Sequence, residues 1–388
     1  MIYSFLYSLV MLIVLPFIKI KSQIKGFDFS LKERFVLYKD KGDSYIWFHC
    51  ASVGELNTLK PLYEYYKDKY KILITVFSPR GKKYAIENFK EAKIRELPFD
   101  LGFLVKRFLN IYKPKALIIV EEELWYNLIK TSSKKIPVIS INARISPSSF
   151  KFYKKFSFFF RKVFNYFSLI LARTKEDKDI ISYFVNEEKI KVCGDLKFVS
   201  SLNSKDINLT FPTDKKIIVA GSTYKIEEEM LLDILKKLDN IILVLAPRHL
   251  ERLQELENLV REKGFNYQFL SKSKDIKEKV LIVDKMGYLS SLYNYADATF
   301  VGGTIENIGG HNILEALLKN KPVIIGKNYQ KIKPIYEQFK EYITIVNSKE
   351  ELLNAIKENL SKKTDINIQE KIDKIFKCYI QNLEKYIK

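Results

Sequence analysis

Asp297-Ala298-Thr299-Phe300-Val301-Gly302-Gly303-Thr304 runs from a β-type segment into paired glycines, and Ile305 to Ile308 then lead to Gly309-Gly310-His311-Asn312-Ile313-Leu314-Glu315, a helix-like start. A strand that ends in Gly-Gly before a helix leaves backbone N–H groups to face an anion, so this stretch reads as the floor of a phosphate site. It is also one βα unit. The same unit recurs on both sides of it.

Residues 216–220, 241–246, 280–283, 298–301, 322–325 and 342–346 are short apolar runs separated by amphipathic segments, and so are 45–49, 70–77, 116–120, 138–141, 169–171 and 190–193. Strands alternating with helices at this spacing predict an α/β chain with two doubly wound, parallel-sheet halves. Residues 199–216 break the rhythm with Ser, Asn, Asp, Thr and Pro, which puts the domain boundary there. Residues 1–20 read as a membrane anchor, 21–205 and 206–365 as the two halves, and 366–388 as a C-terminal helix with an apolar stripe at Ile368, Ile372, Ile375, Phe376, Tyr379, Leu383 and Ile387. The polar and glycine-containing clusters directly follow the strands. Ligands of open α/β sheets bind at that end, so two such rims facing each other make a cleft.

The 388 residues carry 66 Lys+Arg against 46 Asp+Glu, a formal +20 that favours polyanions, anionic membranes or phosphorylated substrates. Residues 1–17 hold no charge, and Lys19, Lys21 and Lys25 follow. That pattern reads as a single-pass anchor that leaves the rest of the chain in the cytoplasm. It lacks the basic start and small-residue cleavage site of a signal peptide. Cys50, Cys193 and Cys378 show no CxxC and no histidine at metal spacing, which argues for a reducing compartment and against zinc, with Cys50 and Cys193 as small buried residues. Residues 150–167 mix ten aromatics with five Lys/Arg and no acid. This suits a core helix with snorkelling charges or an interfacial helix at a membrane. No RNA-recognition pattern accompanies it, and no nucleic-acid partner is expected.

Several clusters carry chemistry. His49-Cys50-Ala51-Ser52-Val53-Gly54-Glu55 joins a strand to a helix; Ser52-x-x-Glu55 is a capping box, and Glu55 is equally placed as a general base. A helix N-terminus lowers a carboxylate's pKa, so a base there needs a desolvated pocket or a concerted proton transfer. Asn312-x-x-Glu315 repeats the geometry, as a cap or as a ligand for ribose hydroxyls, and Gly309-Gly310 before it permits close backbone approach. Arg248, pinned after Pro247 and followed by His249, matches a monophosphate with its fork. Gly221-Ser222-Thr223 offers hydroxyl donors or an N-cap. All three histidines, His49, His249 and His311, sit at strand ends.

Together these clusters resemble the Kdo transferases, which attach 3-deoxy-D-manno-octulosonic acid (Kdo) to lipid A precursors. The matching pieces are Ala51-Ser52-Val53-Gly54-Glu55, Glu121-x-Glu123-Leu124-Trp125-x-Asn127, Asn142-Ala143-Arg144, Gly194-Asp195-Leu196-Lys197-Phe198, Gly221-Ser222-Thr223, Ala246-Pro247-Arg248-His249, Asp284-x-Met286-Gly287 and the opening stretch. Tyr126, Asp195, Tyr288 and Ala316 depart from the family pattern. The resemblance implies a GT-B fold and an inverting transfer of Kdo from CMP-Kdo to lipid IVA, without metal or cofactor, at the inner membrane with its anionic lipids. It implies Glu55 as the base. Arg248, His249, Ser222, Thr223, Met286, Gly287, Gly309, Gly310, Asn312 and Glu315 would hold the donor, and Glu121, Glu123, Arg144 and Lys197 would lie on the acceptor side. Another GT-B enzyme with a different nucleotide sugar, or a non-catalytic membrane-tethered scaffold for lipid phosphates, is the alternative. An oxidoreductase would want a G-x-G-x-x-G turn with a later acid, and none is present.

Overall fold

Runs of branched apolar residues build the strands, because such side chains fill both faces of a buried parallel sheet. The computed structural model describes residues 2–24, 26–27, 29–39, 42–200, 207–361 and 367–387. The boundaries expected at 205/206 and 365/366 lie outside the described residues, as does Lys25. The chain forms two compact units, Met1–Ser200 with Ile372–Lys388, and Ser201–Lys371.

Among the described residues the first unit contains β1 (Ile46–Cys50), β2 (Ile72–Val76), β3 (Lys93–Glu96), β4 (Ala116–Val120), β5 (Val138–Ala143), β6 (Leu169–Ala172) and β7 (Ile190–Val192). They pair in parallel in the order β3-β2-β1-β4-β5-β6-β7. The second unit contains β8 (Lys216–Thr223), β9 (Ile241–Pro247), β10 (Tyr267–Phe269), β11 (Val280–Ile282), β12 (Ala298–Val301), β13 (Val323–Gly326) and β14 (Ile343–Val346). Their order is β10-β11-β9-β8-β12-β13-β14, again parallel. The strand order reverses between β1 and β4 and between β8 and β12, the kind of switch point at whose carboxyl end open α/β sheets generally bind ligands. No apolar run announced β3 (Lys-Ile-Arg-Glu) or β10 (Tyr-Gln-Phe). Both are edge strands with one neighbour, so they do not need two apolar faces.

Helices start where hydroxyls supply caps. Ser52, Ser78, Ser146 and Thr174 each accept a bond from the backbone N–H three residues on. The last helix, Ile368–Ile387, buries Ile368, Ile372, Ile375, Tyr379, Leu383 and Ile387, and from Ile372 on it belongs to the first unit rather than standing apart. Ile375 fills the space beside Gly194, and the Tyr379 hydroxyl donates to the Gly194 carbonyl at 2.8 Å. Cys378 on this helix forms a disulfide with Cys193 after β7. This corrects the reading of Cys193 as merely a small buried residue. A separation of 185 positions hides the pairing from spacing rules. Cys50 is free and buried, as expected.

The N-terminal helix spans Ile2–Ile24 and is long and apolar enough to cross a membrane. Tyr3, Tyr7, Met11 and Leu15 pack on the first unit's core, while the other faces leave Phe5, Leu12 and Phe17 exposed. Residues 150–167 fall in two helices, Pro147–Lys155 and Ser157–Asn165. The second buries Phe160, Val163 and Phe164, whereas Phe152, Phe156 and Phe158 stay exposed.

One ion pair lies deep in the first unit. Arg34 Nε meets Glu96 Oε2 at 2.8 Å with both side chains almost wholly buried, and Arg34 Nη2 donates to the Phe77 carbonyl at 2.6 Å. Removing one partner strands a buried charge. Glu96→Ala is expected to lower the unfolding free energy by about 3–5 kcal/mol in urea melts, and an apolar double replacement, Arg34→Met with Glu96→Leu, to cost far less.

Candidate functional site

In the second unit, β8 ends at Thr223 and the helix Lys225–Leu235 follows; β12 ends at Val301 and leads into Gly302-Gly303. The backbone N–H groups of Gly303, Thr304 and Ile305 do converge on an anion. That anion is the Glu227 carboxylate, which accepts from them at 2.9, 3.0 and 3.0 Å and from the Tyr224 N–H at 3.1 Å. The expected phosphate floor is therefore already occupied by the protein itself. Gly302 is required because a Cβ there would lie 2.5 Å from both Glu227 Oε2 and the Ser222 carbonyl. Gly309 and Gly310 have φ of +99° and +91°, and their close neighbours are the stems of Lys331 and Ile332, not open space. The permissive backbone there serves internal packing.

The open space lies beside this loop. A cavity of about 590 Å³ is walled by Ser222, Arg248, Lys285, Met286, Gly287, Asn312 and Glu315, with Leu250, Leu289 and Ser290 among its other lining residues. Six of the expected donor residues thus meet around one volume. Thr223, His249, Gly309 and Gly310 are not on its wall. Thr223 is buried and its hydroxyl donates to Glu228 Oε1 at 2.9 Å. His249 stands half-exposed, with Nδ1 3.2 Å from Glu251. His311 lies flat on Tyr224, ring centroids 5.6 Å apart, with Nε2 3.0 Å from the Tyr224 hydroxyl. Burial, then the Arg248 and Lys331 charges, lowers the His311 pKa, so it braces the loop as a neutral ring at pH 7.

Asn312 caps the short helix Leu314–Leu317 from one residue before its N-cap Ile313, accepting from Leu314 N–H at 3.1 Å, and its amide donates to Glu315 Oε1 at 3.1 Å. Burial raises the Glu315 pKa despite that bond. Cap and cavity wall are therefore the same pair. Arg248 is exposed at the end of β9, and its charge has open access to the cavity.

In the first unit, Ser52 caps its helix by accepting from the Glu55 N–H at 3.5 Å, but the expected capping box does not close, because the Glu55 carboxylate turns to the Ala51 N–H instead of that of Ser52. Ser52 Oγ donates to Glu55 Oε1 at 2.9 Å and the Ala51 N–H to Glu55 Oε2 at 2.5 Å. The sequence alone anticipated a lowered pKa from the helix N-terminus. Burial instead raises it, outweighing the Ala51 bond, and the nearby Glu123 charge adds to the rise. Glu123 accepts from the Trp125 indole at 2.6 Å and lies 3.7 Å from His49 Nε2; His49 itself is buried, with Nδ1 on Thr75. On the other side of β4, Glu121 holds a φ of +61°. Its carboxylate meets Lys197 Nζ at 2.7 Å and Arg144 Nη2 at 3.0 Å. Burial works to raise the Glu121 pKa, but Lys197, Arg144 and Arg173 win and hold it below the ordinary range. Arg144 and Lys197 remain partly exposed, two cations fixed by one buried anion. Glu55 and Glu121 follow β1 and β4, the two strands that flank the switch point.

Sequence reasoning missed Glu227, Tyr224 and Lys285. The Glu227-Glu228-Glu229 run was legible only as an acidic first turn; that Glu227 and Glu228 are wholly buried depends on tertiary contacts. Glu227→Gln keeps the shape but turns an amide donor toward N–H donors. It is expected to lower stability by about 3 kcal/mol, the loss of one or two charge-assisted bonds, measured by urea unfolding.

A profile described as 3-Deoxy-D-manno-octulosonic-acid transferase (kdotransferase) matches residues 30–200. The chain is 36% identical over 351 residues to the 3-deoxy-D-manno-octulosonic acid transferase of Aquifex aeolicus, covering 88% of this chain and 94% of that one. It is 37% identical over 358 residues to a bifunctional glycosyltransferase/methyltransferase of Fusobacterium nucleatum, where 87% of this chain spans 55% of the relative's length. Among solved structures, UDP-GlcNAc 2-epimerase from Neisseria meningitidis aligns with a TM-score of 0.57 at 14% identity, over 88% of this chain and all of that one, and so shares the GT-B type of fold. The chain belongs to the 3-deoxy-D-manno-octulosonic acid transferases, a family of glycosyltransferases.

Proposed function

We propose that this chain moves Kdo from CMP-Kdo to a lipid A precursor, lipid IVA, in lipopolysaccharide biosynthesis, with inversion at the Kdo anomeric carbon. The observation that carries this reading is Glu55, a carboxylate lifted above its ordinary pKa by burial and set at the carboxyl end of β1 beside the sheet's switch point. Glu55 takes the proton of a glucosamine hydroxyl while that oxygen bonds to the anomeric carbon. The bond from that carbon to the CMP phosphate oxygen breaks, and its electron pair leaves with CMP.

The developing phosphate charge needs cations in place before the reaction. Arg248 and Lys285 on the 590 Å³ cavity supply them. Glu315, oriented by Asn312, accepts from ribose hydroxyls, and the Met286-Gly287 turn and Ser222 complete the donor seat. Glu121 orders Arg144 and Lys197 on the acceptor side, where an anionic lipid headgroup or the Kdo carboxylate meets them. The formal +20 suits anionic substrates and an anionic leaflet. The apolar N-terminal helix holds the chain to the inner membrane, with both units on its cytoplasmic face.

Glu55→Gln is expected to retain CMP-Kdo binding and lose turnover by at least 100-fold, the low end of the contribution of a general base; mass analysis of Kdo transfer to lipid IVA reads it, and an undiminished rate refutes the role. In the unaltered enzyme the base must be ionised. Because burial raises its pKa, kcat/KM should fall with decreasing pH through a midpoint above the ordinary glutamate value of about 4.3, and Glu55→Gln should abolish that limb. Arg248→Ala should weaken CMP binding about 10- to 100-fold, the worth of one charge-assisted contact, in calorimetric titrations, with the melting temperature unchanged because the side chain is exposed.

A further inference from the structure

The N-terminal helix has 23 residues, about 34 Å at ~1.5 Å per residue, enough to cross a hydrocarbon core of about 30 Å. Its contacts argue for a different placement. Tyr3 OH donates to Asp100 Oδ2 at 2.7 Å, and Asn127 Nδ2 donates to Ser4 Oγ at 3.1 Å. The Tyr3 ring lies 5.1 Å from Tyr126 and 6.0 Å from Phe159. Asp100 also accepts from the backbone N–H groups of Asn127 and Leu128, so this junction is part of the first unit's interior. Toward the far end, Ser22 is buried as well. Positions 3, 7, 11 and 15 face the core at one helical spacing, and the remaining surface exposes Phe5 (70%), Leu12 (76%), Phe17 (71%) and Ile24 (81%).

A crossing helix would carry Tyr3 and Ser4 to the opposite side of the bilayer, about 30 Å from the unit that binds them. We propose that the helix does not cross the membrane but lies along it, one face on the first unit and the other in the outer part of an anionic leaflet. This rests on the membrane reading given above and changes its topology. The helix Ser157–Asn165, which touches Tyr3 through Phe159, continues the surface with Phe158 (88% exposed), and Phe152 and Phe156 extend it. Residues 150–167 add five Lys/Arg without an acid, and Lys19 and Lys21 flank the apolar run, so phosphate headgroups meet cations around an apolar face.

The test uses the full chain with an epitope before Met1 in sealed inverted inner-membrane vesicles, treated with protease without detergent. Digestion of the epitope together with the two units supports the in-plane helix. An epitope that survives until detergent is added overturns it while leaving membrane attachment intact. Protein recovered in the soluble fraction overturns both this proposal and the membrane reading. A second measurement is free of tag effects: Phe5→Trp, Leu12→Trp and Phe17→Trp variants in vesicles of phosphatidylethanolamine and phosphatidylglycerol brominated at shallow or deep acyl positions. Stronger quenching by the shallow bromines at all three positions is expected, after subtraction of Trp47 and Trp125. Deep-bromine quenching greatest at Leu12→Trp and lower at the two flanking positions overturns the proposal.

Discussion

The Glu227 carboxylate, wholly buried and bonded by the N–H groups of Tyr224, Gly303, Thr304 and Ile305, holds together the switch point of the second unit. It ties the helix after β8 to the loop after β12. From there the network spreads outward. Thr304 Oγ1 donates to the Val301 carbonyl and accepts from Gly326 N–H at the end of β13, and the Thr304 carbonyl accepts from Asn328. Gly310 N–H returns to the Gly303 carbonyl and Lys331 N–H to the Gly309 carbonyl, so the segment that delivers Asn312 and Glu315 to the cavity is anchored at both ends. Burial raises the Glu227 pKa and the four backbone donors oppose that rise, so the carboxylate and its donors hold each other in place.

The first unit arranges its charges by the same logic with side chains in place of backbone. Glu121 loses solvent but gains Lys197 and Arg144, and stays ionised. Glu55 loses solvent and has Glu123 nearby, which raises its affinity for a proton. Two glutamates that follow the strands flanking one switch point are thus driven apart in pKa, Glu121 downward and Glu55 upward. Bonds from the Ala51 N–H and the Ser52 hydroxyl orient the Glu55 carboxylate.

The two terminal helices matter to the first unit in different ways. The last helix supports the loop that carries Lys197, with Tyr379 bonding the Gly194 carbonyl and Cys378 joined to Cys193, while Asn142 of β5 accepts from the Leu196 N–H. Ile375 beside Gly194 and Tyr379 on its carbonyl hold the same helix next to that disulfide. The first helix is tied to the interior through Asp100 and Asn127 while most of its surface remains apolar and open. Tyr126 is part of that contact through its ring on Tyr3.

By itself the sequence determined the α/β class, twelve of the strands, the switch-point clusters and the cap at Ser52, because all of these rest on local periodicity and on residues a few positions apart. The edge strands β3 and β10 escaped because one-sided pairing requires no apolar run. The cavity residues Arg248, Met286, Gly287, Asn312 and Glu315 were legible as strand-end motifs; their meeting around one volume was not. Only the tertiary structure decided which anion fills the Gly302-Gly303 loop, which way the Glu55 pKa moves, where Cys378 finds its partner and what the first helix touches. Each of those outcomes depends on burial or on a contact between residues far apart in the chain, and burial sets the cost of a charge that local sequence cannot weigh.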